Sequence, residues 1–239
     1  MNLLLFAPQE RDGDDLLTLR DRRHQHLLRT LRLQAGDELR VGELGGGIGR
    51  AEVLAINARS VRLRVRLDSD APPPLPLTIV LALPRPKMLR RILRTLAETG
   101  VKQIHLINSY RVEKSYWQSP LLQPPALQDA LLSGLEQGMD TIVPEVQLQR
   151  RFRPFAEDLL PSLCAERTAL LADPAATEAY PASPRQPALL LIGPEGGFIP
   201  FERELLARAG ARPVRLGDRV LRVETALQCA LGRHLVAPA

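Results

Sequence analysis

The spacing of apolar and polar residues changes character along the chain and marks two regions. In the first, Val61, Leu63, Val65 and Leu67 alternate with Arg62, Arg64 and Arg66, the period of a strand with one buried and one solvated face. Leu39 to Val41 and Ala51 to Ile56 are two further strand candidates, joined through Gly45, Gly46, Gly47 and Gly49. One short helix fits around His26 to Leu33. This pattern predicts a small β-barrel or sandwich. The segment APPPLP, Ala71 to Pro76, follows the polar run Asp68 to Asp70 and is too rich in proline for a helix or an interior strand. It is read as a linker, residues 71–76, between a domain of residues 1–70 and one of residues 77–239.

Beyond the linker, short apolar runs alternate with helical periodicity, the signature of an α/β domain with a mostly parallel sheet covered on both faces. The strand candidates are Thr78 to Leu83, Gln103 to Ile107, Thr168 to Ala172, Ala188 to Ile192 and Val214 to Leu216. Met88, Leu89, Ile92, Leu93, Leu96 and Ala97 recur at helical spacing, which puts Arg90, Arg91 and Arg94 on the opposite face. Other helices are predicted at Ala126 to Gln137, Phe201 to Ala209 and Val223 to Val236.

Composition narrows the class. A chain of 239 residues, 45% hydrophobic and 25% charged, can build two cores, so disorder is excluded as its dominant state. The opening MNLLLFAPQE has a short apolar run and no basic flank, unlike a signal peptide, and no segment approaches the roughly 20 apolar residues of a membrane span. Cys164 and Cys229 are distant and belong to no CxxC pair, which argues against a disulfide framework or a metal site and for a reducing cytoplasm. The net charge of +5 is concentrated in two places. Arg20, Arg22, Arg23, Arg29 and Arg32 face one acid, Asp21; Arg85, Lys87, Arg90, Arg91, Arg94 and Lys102 face Glu98. Nucleic acid is the natural partner of such clusters, and arginines that merely solvate a surface are the alternative.

Two turns carry the chemistry. The strand Ala188 to Ile192 runs into Gly193-Pro194-Glu195-Gly196-Gly197, with Pro200 at a first helical position. Glycines after a parallel strand let a ligand approach the backbone closely, although such a turn alone serves equally as a structural corner. It is neither a GxxxxGK[ST] nor a GxGxxG motif, so a triphosphate cradle or dinucleotide fold is not supported. The second turn, Leu216-Gly217-Asp218-Arg219-Val220-Leu221-Arg222-Val223-Glu224-Thr225-Ala226, follows another strand and enters the last helix, so the two make one crevice.

Together LLIGPEGG and LGDRVLRVETA resemble the SPOUT superfamily and, within it, the RsmE family, which methylates N3 of a uridine in small-subunit ribosomal RNA. The likeness extends to HLLRTLRL, to Arg85 and Lys87, and to Glu136-Gln137. It implies a PUA-like β-barrel followed by an α/β domain whose C-terminal part forms a trefoil knot, with S-adenosylmethionine bound in a bent form. Dimerisation through the knotted region and a partner that is small-subunit ribosomal RNA or the assembled small subunit are implied as well. The family pattern assigns Leu191, Gly193, Glu195, Gly196, Leu216, Gly217 and Leu221 to the cofactor, and Ile192, Pro194, Gly197, Arg222 and Thr225 of the same two turns are grouped with them. His26, Arg29, Arg32, Arg85 and Lys87 match its RNA-contacting positions, and Arg91 and Arg94 join them as cations on the polar face of their helix. Arg29 and Arg32, read as adjacent turns of one helix face, suit phosphates, whereas His26 serves equally well in packing. Tyr110, Tyr116 and Trp117 have the chemistry to stack a base or to pack.

Arg222, a cation at a helix start, needs either a local partner such as Glu224 or a functional role, and is the candidate catalytic residue. Glu195 and Glu224 have the chemistry of a general base, but glutamates there more often make local hydrogen bonds. The chain departs from the family pattern in Glu136-Gln137-Gly138-Met139-Asp140, where an arginine is missing, and at Arg94-Thr95 in place of Gln-Lys. Two rival readings stand: an RNA-binding assembly factor without turnover, and a methyltransferase acting on another RNA such as transfer RNA.

Overall fold

In the computed structural model, which describes residues 2–182 and 186–235, five strands of the N-terminal region make one sheet. They are β1 (Leu4–Phe6), β2 (Leu16–Leu19), β3 (Glu38–Glu43), β4 (Ile48–Ile56) and β5 (Val61–Ser69), in the order β1-β3-β4-β5-β2. All neighbours are antiparallel except β1 and β3. The alternation in β5 does what its period demands: Val61, Leu63 and Val65 are buried and the arginines between them exposed. The buried residues join Leu4, Phe6, Leu17, Leu27, Val41 and Val53 in one core. β1 and β2 escape a reading by period because each spans only three or four residues.

The helix of this region, α1 (Arg22–Arg29), starts and ends earlier than its periodicity suggests. Asp21 caps it by accepting a hydrogen bond from the Arg23 backbone N–H at 2.9 Å, and beyond Thr30 the chain turns away, with Arg32 in the left-handed region at φ 55°. Arg29 thus ends the helix and Arg32 lies outside it, so the two do not share a helix face. Arg23 is structural: it donates to Leu5 O at 2.8 Å and to Glu10 and Asp21, and its side-chain hydrogen bonds hold both carboxyls below the usual carboxylate range.

Two compact units divide the chain: Met1–Pro73 with Leu132–Val143, and Pro74–Leu131 with Pro144–Ala239. In the first, the backbone N–H groups of Asn2 and Leu3 donate to Glu136 O at 3.2 and 3.1 Å, and Gly45 N–H donates to Thr141 O at 3.0 Å. Asp140 and Thr141 are buried, and Asp140 accepts from Ile142 N–H at 2.9 Å. The altered segment is thus anchored at Asp140 and Thr141, while Gln137, Met139 and Ile142 are exposed.

The second unit contains β6 (Leu77–Ala82), α2 (Pro86–Glu98), β7 (Gln103–Ile107), the start of α3 (Pro124–Gly138) and β8 (Glu145–Gln149). A continuous helical segment follows: α4 (Phe152–Pro154), a π turn (Phe155–Leu159) and α5 (Leu160–Ala165). Then come β9 (Thr168–Ala172), β10 (Ala188–Ile192), α6 (Pro200–Arg208), β11 (Arg212–Val214) and α7 (Val223–Leu235). The predicted end of the last helix, Val236, lies outside the described residues. The sheet is parallel throughout, in the order β11-β9-β10-β6-β7-β8. β10 is apolar along its whole length because it is central and buried on both faces. β8, an edge strand of sequence EVQLQ, is only half-buried and carries too little apolar signal to be read in advance. β11 ends at Val214, two residues before its expected limit, which frees Leu216 for the turn beyond. α7 is anchored by Tyr180, whose hydroxyl lies 2.7 Å from His234 Nε2; burial pushes the His234 pKa down to about 4. No helix among the described residues is long and apolar enough to cross a membrane.

Candidate active site

The carboxyl ends of β9, β10 and β11 open onto a cavity of about 660 Å³, the place where ligands of open α/β sheets bind. Its walls are the two turns singled out from sequence. Ile192, Gly193, Pro194, Glu195, Gly196 and Gly197 form one, and Leu216, Gly217, Leu221 and Arg222 the other. The first turn closes with Gly197 N–H donating to Pro194 O at 2.8 Å, with Gly197 at φ 70°. The second stays non-helical until α7 begins at Val223. Gly217 is open: an added Cβ there would meet nothing within 4 Å. Leu191, by contrast, is buried inside β10, paired with Val80 and Leu171, and Thr225 is exposed on α7; neither lines the cavity.

The first turn is held by two residues that the reading of the sequence did not assign to it, Arg111 and Glu202. Arg111, in the segment after β7, lines the cavity and donates to Gly196 O. Glu202, only 3% exposed, accepts from Tyr110 N–H at 2.7 Å and from Ile199 N–H at 3.1 Å. A buried carboxylate with two backbone donors is satisfied and rigid, so it clamps the Tyr110–Arg111 segment to the start of α6. The spacing of Glu202 from Ile199 is that of a capping box and could have pointed to the second contact. Arg111 meets its partner across 85 positions and could not have been found so.

The charges around the cavity are mostly engaged. Arg203 pairs with Asp173 at 3.2 Å, Glu195 with Arg85 at 3.7 Å, and Glu224 with Arg91 at 2.8 Å. Glu224 is therefore not the partner of Arg222, and both carboxylates considered as bases are held by arginines. Among the described residues, Arg222 makes no ion pair or side-chain hydrogen bond.

The basic residues assigned to RNA fall in both units. On α1, His26 is half-buried and Arg29 exposed; Arg32 is exposed beyond the helix. Arg85, Lys87, Arg91 and Arg94 are exposed at the start and along the outer face of α2, whose inner face buries Leu89, Ile92, Leu93, Leu96 and Ala97. Of the aromatic residues, Trp117 is engaged, donating to Asn108 Oδ1 at 2.9 Å beneath the Arg150 guanidinium, while Tyr110 is exposed.

Residues 71–235 match the RNA methyltransferase domain family and residues 19–66 the RNA methyltransferase PUA domain family. The parallel sheet with its glycine-walled cavity is thus an RNA methyltransferase domain. The chain is 33% identical to the ribosomal RNA small subunit methyltransferase E of Treponema pallidum over 95% of its own length and 87% of that protein. Among solved structures it resembles a methyltransferase of Legionella pneumophila in complex with SAM (25% identity, TM-score 0.76, 98% of this chain and 96% of that one). It shares its fold with the SAM-bound ribosomal RNA small subunit methyltransferase E of Neisseria gonorrhoeae (22% identity, TM-score 0.77, 97% and 95% covered). The chain belongs to the ribosomal RNA small subunit methyltransferase E family, the one its motifs resemble.

Proposed function

We propose that the protein transfers a methyl group from S-adenosylmethionine to N3 of a uridine in small-subunit ribosomal RNA. The observation that carries the reading is the cavity at the strand ends, walled by two glycine-bearing turns, with the unpaired Arg222 beside them. Its residues fit the cofactor. A volume of about 660 Å³ lies in the range of small-molecule sites, Leu216 and Leu221 offer apolar surface to adenine, and Gly217 leaves room for backbone approach. No phosphate cradle is present in the motifs, and the cofactor has no phosphate to hold.

When bound, the cofactor supplies an electrophilic methyl group on a sulfonium. Uracil N3 becomes a nucleophile as its proton passes to water, and negative charge spreads to O2 and O4. Arg222, having no partner to give up, stabilises that charge. Glu195 and Glu224 act as structural anions for Arg85 and Arg91. Arg111 and Glu202 keep the Gly193–Gly197 turn in one shape, so it need not be ordered when ligands bind. Residues 1–70 act as the RNA-binding domain, through His26, Arg29 and Arg32, and residues 77–239 as the catalytic domain, where Lys87 and Arg94 receive phosphates and Arg85 and Arg91 offer the guanidinium donors that Glu195 and Glu224 leave unused. The family resemblance supports a trefoil knot in the C-terminal part, a homodimer, and action on RNA or the assembled subunit, and the free cysteines Cys164 and Cys229 suit a reducing cytoplasm. Within the departing segment Asp140 and Thr141 are buried while Gln137, Met139 and Ile142 are exposed, so a methyltransferase acting on another RNA stays as the second reading.

The test is methyl transfer from labelled S-adenosylmethionine to small subunits lacking the modification, with the nucleosides identified by mass spectrometry. N3-methyluridine at one site is expected; cofactor binding without labelled RNA would favour the assembly factor. Arg222→Ala is expected to slow transfer by about 100-fold, far more than it weakens cofactor binding in calorimetry. An unchanged rate at saturating substrates would remove Arg222 from the chemistry.

A further inference from the structure

Four arginines line the cavity: Arg111, Arg203, Arg219 and Arg222. Arg111 is spent on the Gly196 carbonyl and Arg203 on Asp173. Arg222 is assigned above to the reacting base. Arg219 remains, exposed and without an ion pair or side-chain hydrogen bond among the described residues. Its neighbour Asp218, the nearest acid in sequence, is already engaged by Arg215 at 3.0 Å. Val220, the next residue, is 85% exposed although it also lines the cavity. The Asp218–Val220 turn therefore stands at the rim, reaching both the cavity and solvent.

We propose that Arg219 grips an oxyanion of a bound reactant, and that this oxyanion is a backbone phosphate next to the target uridine. The assignment rests on the methyltransferase reading above. A guanidinium with all its donors free matches a phosphate through two parallel hydrogen bonds. A base presented to the cavity has to leave its stack, and the phosphates flanking it then come to the rim. The other oxyanion at the site is the carboxylate of the cofactor's amino-acid part. The exposure of the Asp218–Val220 turn favours the group that arrives from solvent on a macromolecule. Arg219 and Arg222, three positions apart on one turn, then divide the work: one fixes the backbone of the nucleotide and the other meets its ring.

The experiment compares wild type, Arg219→Ala and Arg219→Lys, with Arg208→Ala, a surface arginine on α6 paired with Glu204, as reference. Binding to a small-subunit ribosomal RNA transcript and to assembled small subunits is measured from 50 to 200 mM salt, and S-adenosylmethionine binding is measured by calorimetry without RNA. Loss of one phosphate contact is expected to lower the slope of log affinity against log salt by about 0.7 to 0.9 in Arg219→Ala, with roughly tenfold weaker RNA binding at low salt and unchanged cofactor affinity. Arg219→Lys keeps the slope and recovers part of the affinity, and Arg208→Ala matches wild type. A slope in Arg219→Ala equal to wild type overturns the proposal, and so does a loss confined to cofactor affinity, which would assign Arg219 to the carboxylate. If wild type binds RNA with a salt slope but methylates nothing, the methyltransferase reading fails while the Arg219 comparison still stands.

Discussion

At Gly49, where β4 bulges against β5, an added Cβ would stand 2.0 Å from the Arg66 carbonyl oxygen and 2.7 Å from Leu67 Cα. At Gly217, in the cavity wall, it would meet nothing within 4 Å. Both residues belong to glycine-bearing stretches that look alike along the sequence. The first glycine is required by the backbone of its own partner strand. The second keeps open a space that no protein atom fills, which is what a binding site needs. A glycine cluster is therefore ambiguous until the atoms beside it are known.

Substitutions separate the two cases. Gly49→Ala forces backbone against backbone, where neither side has a flexible end to move, and is expected to destabilise the first unit by about 3 kcal/mol, lowering Tm by roughly 10 °C. Thermal unfolding measures this, and a Tm within 2 °C of wild type would show that the strand pair yields. Glu202→Ala strands two backbone donors at the cavity's edge and is expected to cost about 2 kcal/mol. It should also weaken cofactor binding by loosening the Gly193–Gly197 turn, with Glu202→Gln milder in both assays; a lower Tm with intact cofactor affinity would separate the clamp from the site.

Gly217→Ala should leave Tm unchanged yet weaken S-adenosylmethionine binding about tenfold, or about 1.4 kcal/mol; unchanged affinity in calorimetry would mean that the ligand does not approach this backbone. The smallest effect is on pH. His234 is held neutral by burial, its pKa pushed down to about 4, so the unfolded chain takes up a proton first as pH falls. The stability this histidine contributes is present above about pH 6.5 and is lost between there and pH 4, a change of at most about 1 kcal/mol after allowance for its partial exposure. Comparing Tm at pH 7 and pH 5 for wild type and His234→Gln tests it: the variant should show the shallower decline.

Much of this architecture was legible in advance. β7, β9 and β10 have the limits their apolar runs suggest, and ten of the twelve residues assigned to the cofactor line one cavity. The reason is local: alternation in β5 or an unbroken apolar run in β10 depends on near neighbours in the chain and on which faces are buried. β8 and the helical segment from Phe152 to Ala165 were not legible, because a polar edge strand and a helix interrupted by a π turn lack a clean period.

By itself the sequence determined the two regions, the parallel sheet and the two turns that wall the cavity, since period, proline and glycine act over a few residues. Only the tertiary structure decided that Arg111 holds Gly196, that Arg91 takes Glu224 and so leaves Arg222 unpaired, that Leu132–Val143 packs with the first unit, and that Arg32 leaves the helix of Arg29. Most of those outcomes depend on which distant segments the folded chain brings within hydrogen-bonding distance, and the last on where a cap and a backbone turn end a helix.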